Sequence, residues 1–369
     1  IMDTNKGLPD SLTTRSCTMN TIKAGIIGFG YMGHFHLNKA RQLEELDVVS
    51  AYDIDAEKRA DAANEGLTVY DTLESFLADE TISLVFICTP NNVHAELAIA
   101  SLRAGKHVMC EKPVTMDSTE LEQVIAAAEK ANRIFTVHQN RRWDEDYLMA
   151  CQAVQSGEIG NITTIQSRVY GQRGVCFGWR ADPVAGGGML YDWGIHLIDQ
   201  LLCMFRGHKV VSVYARLLSI LTPAVDDSFE LQLEFDNGVV GKIQVGTFCL
   251  QDLPRWFVYG DRGTLKIDDF SGKTGGMARI RQNVHGFDSV FGKHLGPSRT
   301  MAPLKPEFVE TLPLPQVSTD PLAYHRNLAR ACAGLEPPCV SFADMRRDMK
   351  IVDLAFESSR TKQVLSTSL

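Results

Sequence analysis

Ile22-Lys23-Ala24-Gly25-Ile26-Ile27-Gly28-Phe29-Gly30-Tyr31-Met32-Gly33 is the stretch whose reading decides the fold. A compact apolar run ends in G-x-G-x-x-G, and Leu37, Ala40, Leu43 and Leu46 then recur at helical spacing. A buried strand handing over to a helix through that glycine pattern is the context a dinucleotide-binding turn requires. The glycines allow a tight turn and let a pyrophosphate approach the helix N-terminus. The next apolar run, 48–52, ends at Asp53, twenty residues beyond Gly33. An acid there hydrogen-bonds the adenosine ribose and repels a 2′-phosphate, so NAD is expected ahead of NADP. Lys58 and Arg59 keep some NADP use open, and Asp53 or Asp55 could instead simply cap the helix over 56–65.

Outward from this turn, strand and helix signals alternate in the βαβ manner. Residues 82–88, 107–110 and 134–138 read as strands, and 93–103 and the segment after Asp117 read as helices, the latter opened by a capping box of Asp117 and Glu120. Ligands of open parallel sheets bind beyond the carboxyl ends of strands. Gly28–Gly33, Asp53, Thr89-Pro90-Asn91-Asn92, Glu111-Lys112-Pro113 and Gln139-Asn140-Arg141-Arg142 all fall at such ends. Lysines at strand ends are mostly solvated charges. Lys112 differs in preceding a proline, which restricts its backbone, and in lying on the cofactor edge, where neighbouring charge or burial would tune its pKa.

The chain has 369 residues, 44% hydrophobic and 22% charged, which suits two globular domains. A net charge of −8 argues against nucleic acid or an anionic membrane surface as partner. No apolar run approaches the ~20 residues that span a bilayer, and residues 1–20 lack the apolar core of a signal peptide. They read as a flexible arm or added segment, with Met19 a plausible natural start. Nine cysteines, without a C-x-x-C, fit reduced buried thiols in a cytoplasmic protein better than disulfides. His34 and His36 have no carboxylate or thiol at ligand spacing, so no metal site is expected.

Near the middle stands Gly186-Gly187-Gly188-Met189-Leu190-Tyr191-Asp192-Trp193-Gly194-Ile195-His196. Asp192 and His196 stand four positions apart, which on a helix puts carboxylate and imidazole on one face. By itself that spacing is common. Together with Thr89-Pro90-Asn91-Asn92-Val93-His94, Gly105 to Pro113, Asn140-Arg141-Arg142-Trp143, Trp179-Arg180 and Gly260-Asp261-Arg262-Gly263-Thr264-Leu265, it resembles the Gfo/Idh/MocA family, the glucose–fructose oxidoreductase and inositol dehydrogenase group.

The resemblance implies an N-terminal Rossmann domain and a C-terminal α/β domain with an open, largely antiparallel sheet. It implies that Lys112 contacts substrate and cofactor, that Asp192 positions substrate, and that His196 is the acid/base. It places Gly28, Phe29, Gly30, Tyr31, Met32, Gly33, Asp53, Thr89, Pro90, Asn91, His94, Glu111, Gln139, Trp179 and Arg180 on the cofactor, and Asn140, Arg141 and Trp193 on the substrate. The reverse assignment, with Lys112 as principal acid/base, stays open, although the ordinary imidazole pKa lies nearer neutrality.

Read directly, the second half alternates polar and apolar residues over 163–170, 208–218, 228–235, 239–248, 255–259 and 264–267, as half-buried strands do. Turn chemistry at Asp236-Asn237-Gly238 and Asp261-Arg262-Gly263 separates them. The expected organisation is a Rossmann domain over 21–142 and a substrate and oligomerisation domain over 143–369. Helices cover one sheet face, and the free, partly apolar face joins copies into a homo-oligomer. Phe229 and Phe248 are expected to be packing residues, 270–314 to be irregular, and helices over 324–335 and 342–354 to return to the first domain.

The expected activity is NAD-dependent oxidation of a secondary hydroxyl of a polyol, sugar, glycoside or cyclitol, with C3 of a glucopyranoside as the narrower expectation. Alternatives are a relative acting on a dihydrodiol or bilin, and a non-catalytic NAD-binding sensor on the same fold.

Overall fold

The computed structural model describes residues 20–173, 177–284 and 303–369. The arm expected over 1–20 lies almost wholly outside these residues. The first half builds β1 (Ile22–Ile27), α1 (Tyr31–Ala40), β2 (Leu46–Tyr52), α2 (Ala56–Asn64), β3 (Thr68–Tyr70), α3 (Leu73–Ala78), β4 (Leu84–Ile87), α4 (His94–Arg103), β5 (His107–Cys110), α5 (Ser118–Ala131) and β6 (Phe135–Val137). The strands form one sheet in the order β3-β2-β1-β4-β5-β6, every pairing parallel. Strand order reverses between β1 and β4, and the crevice beyond their carboxyl ends is where such a sheet takes a dinucleotide. Leu84, Val85, Phe86 and Ile87 are all fully buried, as a central strand covered on both faces must be.

The second half comprises α6 (Glu145–Ser156), β7 (Ile162–Tyr170), α7 (Ile195–Met204), β8 (Val210–Leu218), β9 (Ser228–Phe235), β10 (Val240–Gly246), β11 (Trp256–Gly260), β12 (Gly263–Ile267), β13 (Gly275–Ile280), β14 (Val309–Leu312), α8 (Ala323–Cys332), α9 (Phe342–Thr361) and β15 (Leu365–Ser366). Its strands form one sheet, ordered β14-β13-β12-β11-β7-β10-β9-β8-β15. Only β7 and β10 pair in parallel, so the sheet is mostly antiparallel, as expected. The six alternating segments read from sequence are six of its strands. The remainder of 270–314 is not wholly irregular, since β13 and β14 lie within it and extend the sheet edge. Their glycines and charges weakened the alternation that would have revealed them.

In β9, Phe229, Leu231, Leu233 and Phe235 are buried while Glu230, Gln232 and Glu234 are exposed. The free face of this sheet is therefore polar there, and Lys242 and Lys266 continue it. Tyr214, Phe257 and Tyr259 stand on the same face, in register with these polar residues, so it is partly apolar. Phe229 packs as expected, but Phe248 is 52% exposed, because it sits past the end of β10.

Helices α8 and α9 return to the first sheet. Tyr324 donates from Oη to Val137 O at 2.8 Å, and Arg346 on α9 pairs with Glu122 on α5. Helix α9 opens with a reciprocal capping box: Asp344 N donates to Ser341 Oγ, and Ser341 N donates to the Asp344 carboxylate. Ser341→Ala is expected to lower stability by about 1 kcal/mol, read as a fall in urea midpoint at unchanged slope. An unshifted midpoint would show that the cap does not hold this helix.

Candidate active site

The glycine turn opens α1 without a side-chain cap, leaving the first N–H groups of the helix free of any side-chain acceptor. Gly28 has φ +90°, and a Cβ there would meet Cys88 O at 2.6 Å; one on Gly33 would meet Gly28 O at 2.7 Å. Gly30 is different: nothing lies within 4 Å of a Cβ built on it. Open space over an uncapped helix N-terminus is what a pyrophosphate needs. Thr89 at the end of β4 has a buried hydroxyl with no protein partner, facing the same crevice as Gly28, whose built Cβ would lie 3.1 Å from Thr89 Cγ2. These residues fit a dinucleotide.

Asp53 braces this turn. One carboxylate oxygen accepts from Phe29 N at 2.8 Å and the other from Asp55 N at 2.9 Å. The cap of α2 is Asp55, which accepts from Glu57 N, so the two acids divide the roles left open by the sequence. Tyr31 is exposed and Met32 and Pro90 half-buried, each at the crevice.

Four expected cofactor residues have buried side chains. The ring of Phe29 is fully buried. His94 is buried with both ring nitrogens on backbone carbonyls, Pro113 O at 2.8 Å and Thr89 O at 3.0 Å. Asn91 is buried and donates to Gly186 O at 2.7 Å. Glu111 is buried and holds His36 and His138. Burial beneath the strand ends, which spacing does not reveal, turned these polar groups inward.

The glycines of 186–188 serve close packing. A Cβ on Gly187 would lie 2.3 Å from Arg180 O, and one on Gly188 2.3 Å from Asp226 Oδ1. Beyond them the chain winds as one π-helical turn, Leu190–Gly194, before α7 begins. Such widened turns recur at functional sites. Here it changes the angular relation between Asp192 and His196 from that of a regular α-helix.

Lys112, at the end of β5, reaches across to this turn. Its Nζ donates to Asp192 O at 2.6 Å and to Asp192 Oδ1 at 2.8 Å, with both side chains largely shielded from water. Arg180 Nε stands 3.3 Å from the same Oδ1, its guanidinium stacked 4.5 Å over Trp179. Burial works to raise the Asp192 pKa, but Lys112 and Arg180 outweigh it and hold the carboxyl below its ordinary range.

His196 is buried, and its Nδ1 lies 3.1 Å from Gln139 Oε1. Gln139 in turn donates from Nε2 to Asp348 Oδ2 at 3.3 Å. With that amide orientation Gln139 Oε1 can only accept, so His196 carries its proton on Nδ1 and presents a lone pair at Nε2. Burial, then Lys112 and Arg141, push the imidazole well below its ordinary value, so it is neutral near pH 7. Lys112 and Asp192 are thus in direct contact across the two sheets, and His196 lies near enough for the lysine charge to act on its ring.

Arg141 lies 4.1 Å over the Trp193 ring and 5.4 Å from Phe270, and Trp193 and Phe270 are 5.7 Å apart. Together they form an aromatic and cationic wall beside His196. Asn140 does not join it: it lines a small cavity of about 200 Å³ with Trp143 and Tyr324, on the side of His138 and His325. Sequence reasoning missed Phe270, Asp348 and the pairing of Arg180 with Asp192. None carries a spacing signal: Arg180 is twelve positions from Asp192 across the glycine loop, and Phe270 and Asp348 are far from their partners in the chain.

The sequence profile of the oxidoreductase family with NAD-binding Rossmann fold matches residues 22–139, and that of the GFO/IDH/MocA C-terminal domain matches residues 147–266. The chain belongs to the Gfo/Idh/MocA family. The scyllo-inositol 2-dehydrogenase (NADP(+)) of Bacillus subtilis is 28% identical over 358 residues, 94% of this chain and 96% of that one. The inositol 2-dehydrogenase of Salmonella typhimurium is 30% identical over 236 residues, 62% of this chain and 68% of that one. An NAD-binding protein from Listeria innocua superposes with TM-score 0.84 at 37% identity, covering 94% of this chain and 97% of that structure. Family membership makes this chain an NAD(P)-dependent oxidoreductase acting on CH–OH groups. Among the described residues, no helix is long and apolar enough to cross a membrane.

Gly30→Ala fills open space without touching the fold. It is expected to weaken NADH binding about tenfold or more, ~1.4 kcal/mol, at an unchanged melting temperature of the ligand-free protein. A fluorescence titration showing full affinity would remove the dinucleotide from this turn.

Proposed function

We propose that the protein oxidises a secondary hydroxyl of a polyhydroxylated ring, a sugar, glycoside or cyclitol, with NAD as the preferred acceptor. What supports this reading is the Lys112–Asp192 pair, and His196 with its Nδ1 on Gln139, beside the Arg141–Trp193–Phe270 wall. A ring substrate offers an apolar C–H face to such aromatics and hydroxyls to the polar groups. The inositol dehydrogenase relatives support a polyol, and Asp53 at the end of β2 supports NAD over NADP.

When bound, the nicotinamide supplies the hydride acceptor. The protein does the rest. His196 accepts the hydroxyl proton at Nε2, while its Nδ1–H stays on Gln139. Lys112 donates a hydrogen bond to the same oxygen as negative charge grows there, an interaction that strengthens toward the transition state. Asp192 orients the lysine and accepts from a neighbouring hydroxyl. Glucopyranoside C3 and an inositol ring carbon present the same chemistry, a secondary carbinol between two others, and substrate assays separate them.

The test is a panel of cyclitols, sugars and glycosides followed by nicotinamide fluorescence. On a confirmed substrate, His196→Ala is expected to lower kcat by about 10²–10⁴, with NADH affinity kept. Full turnover in that variant would transfer the acid/base role to Lys112.

The pH dependence gives an independent check. His196 acts as base only when neutral, and its pKa in the folded protein lies well below 6.5. Oxidation should therefore keep its kcat/KM as pH falls through 6.5, with the acidic limb lower. A limb centred at or above 6.5 would show that another group accepts the proton.

A further inference from the structure

Behind the Lys112 turn, three buried histidines from three separate segments surround one buried carboxylate. His36 comes from α1, His138 from the end of β6 and His325 from α8, and one nitrogen from each lies within 4.8 Å of the others. Glu111 Oε1 sits 2.8 Å from His36 Nε2 and 2.8 Å from His138 Nδ1. Both nitrogens therefore carry protons, and the lone pairs fall on His36 Nδ1 and His138 Nε2. His325 Nε2 lies 2.9 Å from His36 Nδ1 and donates to that lone pair, so metal binding moves the His325 proton from Nε2 to Nδ1. We propose that His36, His138 and His325 bind one divalent d-block metal ion, such as Zn²⁺, Co²⁺ or Ni²⁺, with Glu111 orienting two of the ligands.

The chemistry of the group favours this. Metal-bound imidazoles characteristically donate their second N–H to a carboxylate, which fixes the tautomer and raises ligand basicity. Glu111 is placed to do so for two rings at once. His325 is only 1% exposed, and its Nδ1, which has no protein partner, is free to take the proton that Nε2 gives up to the ion. A core built for packing alone gains nothing by concentrating three imidazoles away from water, since each polar nitrogen must be satisfied there.

Space and charge also fit. The cavity of about 200 Å³ that Asn140 lines is walled by both His138 and His325, leaving room for a fourth ligand such as water. Asp144 and Asp320 on its rim are each ion-paired, with Arg141 and Arg326, so the carboxylate that serves the histidines is Glu111. Tetrahedral bonds of ~2.1 Å separate ligand atoms by roughly 3.3 Å. Binding therefore widens the 2.9 Å His36–His325 pair and draws the farthest pair inward. The ion would clamp α8 onto α1 and β6, independently of the redox reading above.

The experiment uses the full chain, stripped with chelator and titrated with Co²⁺ alone. One ion per chain is expected, with the visible absorption of a nitrogen-rich site and a raised melting temperature. His325→Gln is expected to weaken binding about a hundredfold while leaving NADH affinity unchanged. X-ray absorption at the zinc edge of the unmodified protein loaded with Zn²⁺ should show three imidazoles, a measurement independent of whether the variant folds. Absence of stoichiometric Co²⁺, equal binding by His325→Gln, or fewer than three imidazoles around zinc would each overturn the site.

Discussion

The ion pair between Lys112 and Asp192 is the contact on which the geometry of the site depends. It joins the end of a strand in the parallel sheet to a π-helical turn of the other domain, with Lys112 Nζ on both the carboxylate and the backbone carbonyl of Asp192. Two charges this shielded are not simply stabilising. Their mutual attraction must offset desolvation, and removing one partner of such a pair typically costs about 3–5 kcal/mol. Arg180 shares the same carboxylate oxygen, so Asp192 remains ionised despite its burial.

The surroundings make that one contact possible. Asn91 holds Gly186 from the Rossmann side, and Asp226 takes the Met189 and Leu190 N–H groups on one side of Gly188. Neither arrangement tolerates a side chain on the glycines. The π-turn then rotates Asp192 relative to α7, while Gln139 fixes the proton of His196 on Nδ1. The result is division of labour by environment: an ionised carboxylate held by Lys112 and Arg180, beside an imidazole kept neutral by burial and by Lys112 and Arg141.

The region below the site shows the limit of local reasoning. His36 has no carboxylate or thiol at ligand spacing along the chain, yet it meets His138, more than a hundred positions away, and His325, 289 positions away. The expectation that no ligands gather round His36 held only along the chain. Phe270 and Asp348 escaped detection for the same reason, as did the inward turn of His94 and Asn91.

The sequence by itself determined the parallel sheet, the dinucleotide turn and six strands of the second sheet. Those features rest on periods of two and 3.6 residues and on glycines whose role is local. It also marked Lys112, Asp192 and His196, because each stands in a short motif with its own spacing. Only the tertiary structure decided what these groups do to one another. Hydrogen-bond partners, burial and charge act over a few ångströms of space, and the residues that supply them here lie on strands and helices far apart in the chain. The tautomer of His196, the ionised state of Asp192 and the gathering of three histidines round Glu111 are all consequences of that distance law.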